Sequence, residues 1–184
     1  MEKNAFWTLI EEARSVAEDS RNIAGHLAER LLSYSPEQIL RWHGILDCYH
    51  SLSRKNKLWA AAYVINGGCS DDGFEYFRGW LIAQGKETFL RALQDPDSLA
   101  GVDVEADEAE DEEILSAGMT AYFQRMGPQE PDYDAFDAAF APYALSETDI
   151  AQLQADLRYA PDIDIVWDEA SLETVLPKLT ARFY

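Results

Sequence analysis

The sequence is short of basic residues, cysteines and long apolar runs, and each shortage argues against a class of protein. Only 15 of its 184 residues are lysine or arginine, against 34 aspartates and glutamates, so the formal net charge is −19 at pH 7. Nucleic acids and anionic membranes are bound by basic surfaces, which argues against both as partners. Two cysteines, Cys48 and Cys69, are too few for a disulfide framework and indicate reduced thiols.

Signals for export and membrane insertion are also missing from the pattern. The first residues lead directly into an amphipathic segment, without the apolar run of a signal peptide. No stretch approaches the roughly 18–20 apolar residues of a membrane span. We therefore expect a soluble, cytoplasmic protein. Its content of 47% hydrophobic and 12% aromatic residues is ample for a packed core.

Negative charge is concentrated in the second half of the chain. Residues 1–94 carry 11 basic and 12 acidic side chains, whereas residues 95–184 carry 4 and 22. The densest stretch ends at position 113, and self-repulsion there predicts an extended, solvated segment. The acidic side chains that we assign to a predicted acidic face are Asp103, Glu105, Asp107, Glu108, Glu110, Asp111, Glu112 and Glu113.

Apolar residues recur every three or four positions along the first half, which predicts a series of helices. Such stripes cover residues 6–17, 23–34, 39–52, 57–65, 74–81 and 87–93. Ser35, followed by Pro36 and Gln38, predicts a capping box at the start of the third helix. Gly67 and Gly68 favour the left-handed end of the fourth.

The second half is also predicted to be mainly helical, with stripes over residues 114–126, 133–140, 146–157 and 168–176. Residues 163–167 alternate apolar and acidic side chains and could form a short strand. The expected fold class is all-α. A compact multi-helix bundle covers 1–100, an acidic connection covers 101–113, and a smaller acidic helical extension over 114–184 packs on the bundle, as a separate part or as one domain with it.

One run of residues resembles a known family. Residues 58–85, which read LWAAAYVINGGCSDDGFEYFRGWLIAQG, are similar to the signature of the bacterial family called domain of unknown function 4240 (DUF4240). Residues 6–11 and 95–100 resemble its flanks, and residues 167–169 and 176–183 resemble its tail. The resemblance implies a small soluble bacterial protein, and it carries over neither an activity nor site residues.

The loop over residues 67–73 is the most site-like feature of the first half. The polar side chains that it brings together are Cys69, Ser70, Asp71 and Asp72. At the start of the next helix the macrodipole would lower the pKa of Cys69, which would make it a nucleophile with His43 or His50 as base. The aspartates with a histidine could instead bind a metal. Alternatively, Ser70 caps the next helix and Cys69 packs as a small apolar group.

Large side chains beside this loop could form a ligand groove. Trp59 and Trp80 would line the groove, and Arg78 could bind an anionic ligand. Each tryptophan also lies on a predicted apolar stripe, so packing in the core is the alternative. For Arg78 the alternative is an ion pair with Glu75 or Asp72.

Two functions of different classes compete on this evidence. The leading hypothesis is a non-catalytic protein-binding module whose acidic C-terminal face docks a basic protein partner, for example as an immunity or antitoxin protein. Opposite fields accelerate association by ~10–10³. The alternative is a small enzyme, or a ligand- or metal-binding domain, centred on the loop 67–72. No catalytic constellation and no cofactor are predicted, and a helical subunit that only self-associates is a third interpretation.

Overall fold

The predicted apolar stripes correspond to helices in the computed structural model, which describes residues 2–17, 22–127 and 130–184. The α-helices are α1 Lys3–Arg14, α2 Ile23–Leu31, α3 Pro36–Leu52, α4 Asn56–Asn66, α5 Asp71–Ala83, α6 Lys86–Gln94, α7 Glu113–Met126, α8 Tyr133–Phe140, α9 Glu147–Gln154, α10 Leu172–Val175 and α11 Pro177–Phe183. Short 3-10 helices lie at Pro96–Gly101, Ala141–Tyr143 and Glu169–Ser171. No described residue forms a strand, so the all-α class is confirmed.

Local signals set several helix ends as predicted. Ser35 Oγ accepts a hydrogen bond from the backbone N–H of Gln38 at 3.4 Å, and the side chain of Gln38 accepts one from Ser35 N–H at 3.0 Å. This capping box satisfies two backbone donors at the start of α3. Gly67 ends α4 with a φ of 67°, a left-handed conformation that glycine adopts without steric cost.

The core of the first half is aromatic and joins α1, α3 and α6. Phe6 packs on Trp42 with ring centroids 5.2 Å apart, and Trp7 lies 5.4 Å from Phe89. Tyr49 contacts Phe6, Trp7 and Phe89. All five side chains are buried. Removing rings of this size from water supplies much of the hydrophobic stabilisation.

The helix α7 comes from the acidic half of the chain but packs directly on α2 and α3. Its buried face carries the small residues Ala117, Gly118 and Ala121. A Cβ added at Gly118 would lie only 2.9 Å from the Cβ of His43. The absence of a side chain therefore allows the two helices to approach closely, and α7 completes the bundle.

The acidic connection lies against α4 and α5 through its backbone, whereas its predicted acidic side chains, except Asp111, are exposed. The predicted solvation therefore holds for the charges and not for the backbone. Asn66, at the end of α4, accepts a hydrogen bond from the N–H of Ala109 at 3.1 Å and donates one to its carbonyl oxygen at 3.3 Å. The backbone N–H groups of Asp107 and Asp111 donate to carbonyl oxygens of α4 and α5. These hydrogen bonds satisfy backbone donors and acceptors of the connection, and they hold the connection in place despite its charge.

The last part of the chain wraps around the first half and is held by ion pairs. These pairs are Lys3–Asp156, Arg41–Asp149, Lys55–Asp164 and Lys57–Asp162. The predicted strand at 163–167 is wrong: residues 161–164 form turns, residues 165–167 have no regular structure, and Asp164 pairs with Lys55 just before α4. The carbonyl of Ile163 accepts a hydrogen bond from Lys57 N–H at 2.8 Å. Part of the acidic charge is thus neutralised within the molecule.

Candidate functional site

The loop 67–73 and the acidic connection, predicted as two separate sites, meet at the start of α5. The connection follows one face of α5 that carries Gly73, Tyr76 and Gly79, spaced three residues apart. Glu110 Oε1 lies 3.0 Å from the position that a Cβ at Gly73 would occupy. The carboxylate thus sits over the first turn of α5, where the positive end of the macrodipole stabilises negative charge.

Five exposed carboxylates lie in the first turn of α5 and on the connection beside α4 and α5, and we call them the acidic face. They are Asp71, Asp72, Asp107, Glu110 and Glu112. Their field reaches Tyr76, whose pKa is raised first by the charge of Glu112, then by burial and by the charges of Asp72 and Glu110. Within the described ranges, none of the five lies within 4.0 Å of a basic nitrogen.

The other residues of the predicted acidic set are placed differently. Asp111 is only 7% exposed, which corrects its assignment to a docking surface. Its Oδ1 accepts a hydrogen bond from the N–H of Ile114 at 3.0 Å, at the start of α7. The remaining members are exposed along the same connection, and they are Asp103, Glu105, Glu108 and Glu113.

The polar groups of the loop itself make structural contacts. Ser70 Oγ accepts a hydrogen bond from the N–H of Gly73 at 3.0 Å and so caps α5. The indole N–H of Trp59 donates to the carbonyl oxygen of Cys69 at 3.1 Å. These contacts are those of the alternative interpretation, in which the loop joins and caps two helices.

The thiol of Cys69 is not activated. Burial, followed by the charges of Glu110 and Asp71, raises the pKa of Cys69 to about 12. The prediction of a lowered pKa is wrong, because desolvation and a nearby carboxylate outweigh the macrodipole. The thiol donates to the carbonyl of Ser70 at 3.6 Å, and among the described residues neither histidine is one of its polar contacts.

The two histidines considered as bases or metal ligands take part in helix packing. His50 Nε2 lies 3.0 Å from the carbonyl oxygen of Glu75, and its Nδ1 lies 3.4 Å from Arg78 Nη1. His43 packs edge-on against Phe136. Burial is the main cause that lowers the pKa of His43 and of His50. In the described part of the chain, no group of three or more His, Cys, Asp or Glu side chains could hold a metal ion.

Arg78 and Trp80 lie inside the molecule, and this corrects their assignment to a ligand groove. Arg78 is 2% exposed, and its guanidinium pairs with Glu75 and donates to the carbonyl of His50 at 2.7 Å. Trp80 is 1% exposed, because it belongs to the apolar face of α5. Trp59 alone of the three is partly exposed. The alternatives of core packing for Trp80 and of an ion pair with Glu75 are therefore confirmed.

Sequence reasoning missed Tyr76 and the seating of the connection on α5. The available signal was the spacing of Gly73 and Gly79, which lie three residues before and three residues after Tyr76. The face of α5 that carries Tyr76 therefore has no side chain at these two neighbouring positions. A helix face of this kind accepts a chain segment at close distance. Nothing in the sequence indicated which segment would occupy it.

We predict that Cys69 is chemically inert in the folded protein. With a pKa of about 12 instead of the ordinary value of 9.0, its thiolate fraction at about pH 8 falls roughly a thousandfold. In a Cys48→Ser variant, iodoacetamide should therefore alkylate Cys69 about a thousandfold more slowly than it alkylates the same protein unfolded in urea. Mass spectrometry of the modified peptide gives both rates. A folded rate within about tenfold of the unfolded rate would restore Cys69 as a candidate nucleophile.

Comparison with known proteins identifies one family. The family model described as "protein of unknown function (DUF4240)" matches residues 1–124. The match extends past the predicted limit at residue 100 through the acidic connection and most of α7, and it does not include the C-terminal segments that resembled the family's tail. No curated protein and no solved structure matches the chain. Within the described residues, no helix has the length and apolar character to cross a membrane.

Proposed function

The chain belongs to the DUF4240 family, and we propose that this member is a protein-binding module whose acidic face docks a basic protein partner. The observation that carries the proposal is that five exposed carboxylates lie in the first turn of α5 and on the connection seated beside it. Among the described residues, no basic group lies close enough to neutralise them. A concentrated field of one sign steers an oppositely charged partner and accelerates its association.

The acidic face keeps like charges close together. Burial, followed by the charge of Asp107, raises the pKa of Glu110, so the ionised form of Glu110 is disfavoured in the free protein. A lysine or arginine from a partner would relieve that repulsion. The hydrogen bonds between the side-chain amide of Asn66 and the backbone of Ala109 hold the carboxylates on a fixed segment, which reduces the ordering that binding would require.

The proposed surface is narrower than the whole acidic half of the chain. Asp149, Asp156, Asp162 and Asp164 are paired with basic residues of the first half. These ion pairs hold the last part of the chain on the first half. Because their charges are partly neutralised, they attract a basic partner less than the unpaired carboxylates of the acidic face do. Small basic toxins have the chemistry that the acidic face would recognise, and toward such a partner the module would act as an immunity or antitoxin protein.

The proposal predicts salt-sensitive capture that depends on the acidic face. The unmodified chain should capture a basic protein from an extract of the source organism. A triple variant with Asp107→Asn, Glu110→Gln and Glu112→Gln should capture about tenfold less of that protein. Capture is measured by quantitative mass spectrometry at about 50 mM salt, and about 0.5 M salt should release the partner.

A matched control separates the acidic face from overall charge. Glu29→Gln, Glu87→Gln and Glu173→Gln together change the net charge by the same amount at exposed positions elsewhere. This control should retain the partner to within about twofold. Equal losses in both triple variants, or retention that salt does not affect, would contradict a docking role for the acidic face.

A further inference from the structure

The helix α7 has a second apolar side that the described residues cover only in part. Met119, Phe123 and Met126 follow one another at helical spacing on this side. A cleft of about 380 Å³ lies between it and the start of α8, and its apolar lining includes Met119, Phe123 and Tyr133. Met126 is 60% exposed and Tyr133 is 61% exposed. Grouped large apolar side chains at a surface mark interaction sites.

Ring packing between α7 and α8 forms the walls of the cleft. The ring of Phe123 lies 6.1 Å from that of Tyr133 at an angle of 89°, and 5.9 Å from that of Phe136. Phe136 is buried and packs on His43 of α3. The apolar wall is therefore anchored to the bundle, and a ligand would meet a largely preformed surface.

The segment that follows α7 beside the cleft is acidic, whereas the described lining of the cleft carries no charged side chain. Between Arg125 and Arg158 the sequence has seven acidic residues and no basic one. Those at the start of α8 and along it are Glu130, Asp132, Asp134 and Asp137. Within the described residues none of these four pairs with a basic group within 4.0 Å. A ligand that fills the cleft would thus place its own flanks against unneutralised carboxylates.

We infer that this cleft binds a cationic amphipathic helix. Its apolar side chains would enter between Met119, Phe123 and Tyr133, and its lysines or arginines would face the acidic residues of α8. Methionine and aromatic side chains adapt to such helices, which bind with apolar anchors at helical spacing. A second copy of this chain is disfavoured as occupant, because its charge of −19 would repel the acidic surroundings.

The inference goes beyond the proposed function, since the cleft and the acidic face consist of different residues. The probe is a fluorescein-labelled peptide of about 18 residues, with leucines at positions i, i+3, i+4 and i+7 and lysines elsewhere. A scrambled peptide of the same composition keeps the charge and loses the apolar face. We expect the amphipathic peptide to bind at least about tenfold more tightly than the scrambled one in fluorescence anisotropy.

Methionine methyl NMR locates the bound peptide. The protein contains three methionines, and two of them, Met119 and Met126, belong to this side of α7. The amphipathic peptide should shift both methyl signals, which Met→Leu variants assign. Unmoved signals would mean that the peptide binds elsewhere, and the inference would be wrong.

Variants separate the cleft from the acidic face. Tyr133→Ser changes an exposed side chain and should weaken peptide binding about tenfold, as should Met119→Gln. Val166→Ser removes an apolar residue that is 89% exposed outside the cleft and should change nothing. Unchanged affinity of Tyr133→Ser, or equal affinity for the scrambled peptide, overturns the inference. If only the triple variant of the acidic face weakens binding, the cleft inference fails while the proposed function stands.

Discussion

Replacing Gly79 by alanine is expected to destabilise the protein by about 3 kcal/mol. In an ordinary helix interior the same change stabilises by about 0.5–1 kcal/mol. Here the added Cβ would lie 2.3 Å from the backbone carbonyl oxygen of Asp111 and 3.1 Å from Cγ2 of Ile114. A backbone atom cannot rotate away as a side chain can, so the acidic connection must move off α5 and give up its packing there.

The control for this prediction is Gly25→Ala, in α2. A Cβ added at Gly25 meets no atom within 4 Å, so this variant should be as stable as the unmodified protein or more stable. Urea denaturation gives the free energies of unfolding, and hydrogen exchange of the Asp111 N–H, which donates to Tyr76, reports the connection itself. If the two glycine variants have equal stabilities, the close contact between Gly79 and the connection does not exist.

The helices of the first half were predictable because local signals and apolar period agree there. Ser35 and Gln38 satisfy each other's backbone N–H groups whatever the rest of the chain does, and Gly67 ends α4 for an equally local reason. Where propensity, capping and pattern coincide, tertiary contacts have little to overrule. The all-α class follows from the same agreement.

The acidic connection could not be predicted, because its position depends on partners distant in sequence. Asn66 and Ala109 are 43 residues apart, and their paired hydrogen bonds leave no periodic signal. A run of charge predicts solvation on average, whereas here buried Ala109 and backbone donors fix the segment. The predicted exposure of Arg78 in a ligand groove was wrong for a similar reason. A charged residue is expected at the surface, but the guanidinium of Arg78 binds a carbonyl oxygen and a carboxylate inside the bundle.

The same segment therefore covers α4 and α5 and presents the proposed acidic face. Its charges at Asp107, Glu110 and Glu112 face outward, while Asp111 turns inward to cap α7. Changes that loosen this segment would disturb stability and binding together, whereas neutralising the outward carboxylates should affect binding alone. Stability and negative charge conflict at Asp111, because this carboxylate is buried where it accepts the hydrogen bond that holds the segment at the start of α7.

Replacing Asp111 by asparagine is expected to stabilise the protein near pH 7. Burial is the main cause that raises the pKa of Asp111 to about 6, from an ordinary value of 3.8, and the hydrogen bond from Ile114 N–H only partly opposes it. Among the described residues, Asp111 Oδ2 has no hydrogen-bond partner. Asparagine keeps a carbonyl oxygen that can accept from Ile114 N–H, and it carries no charge to desolvate.

The sign of the pH dependence follows from the raised pKa of Asp111. Well below pH 3.8, at about pH 2.5, the carboxyl is protonated in both the folded and the unfolded chain, so its folded state bears no cost of ionisation. Between about pH 4 and 6 the unfolded chain ionises while the folded chain keeps its proton, so rising pH lowers stability. Above about pH 6 the loss is complete, and about two pH units between the folded and unfolded pKa values correspond to about 3 kcal/mol.

Urea unfolding of Asp111→Asn and of the unmodified protein at about pH 4 and about pH 7 tests this prediction. The advantage of the variant should grow by about 2 kcal/mol between the two values. Taking the difference between the proteins cancels groups such as Asp149, whose pKa is lowered to about 2 by hydrogen bonds from Ser146 and Arg41. Glu105→Gln, which removes an exposed carboxylate of the same connection, is the control and should show no such growth. An advantage that does not change with pH would mean that Asp111 is ionised in the folded protein without cost, and that the connection is less closely packed at this residue than its burial implies.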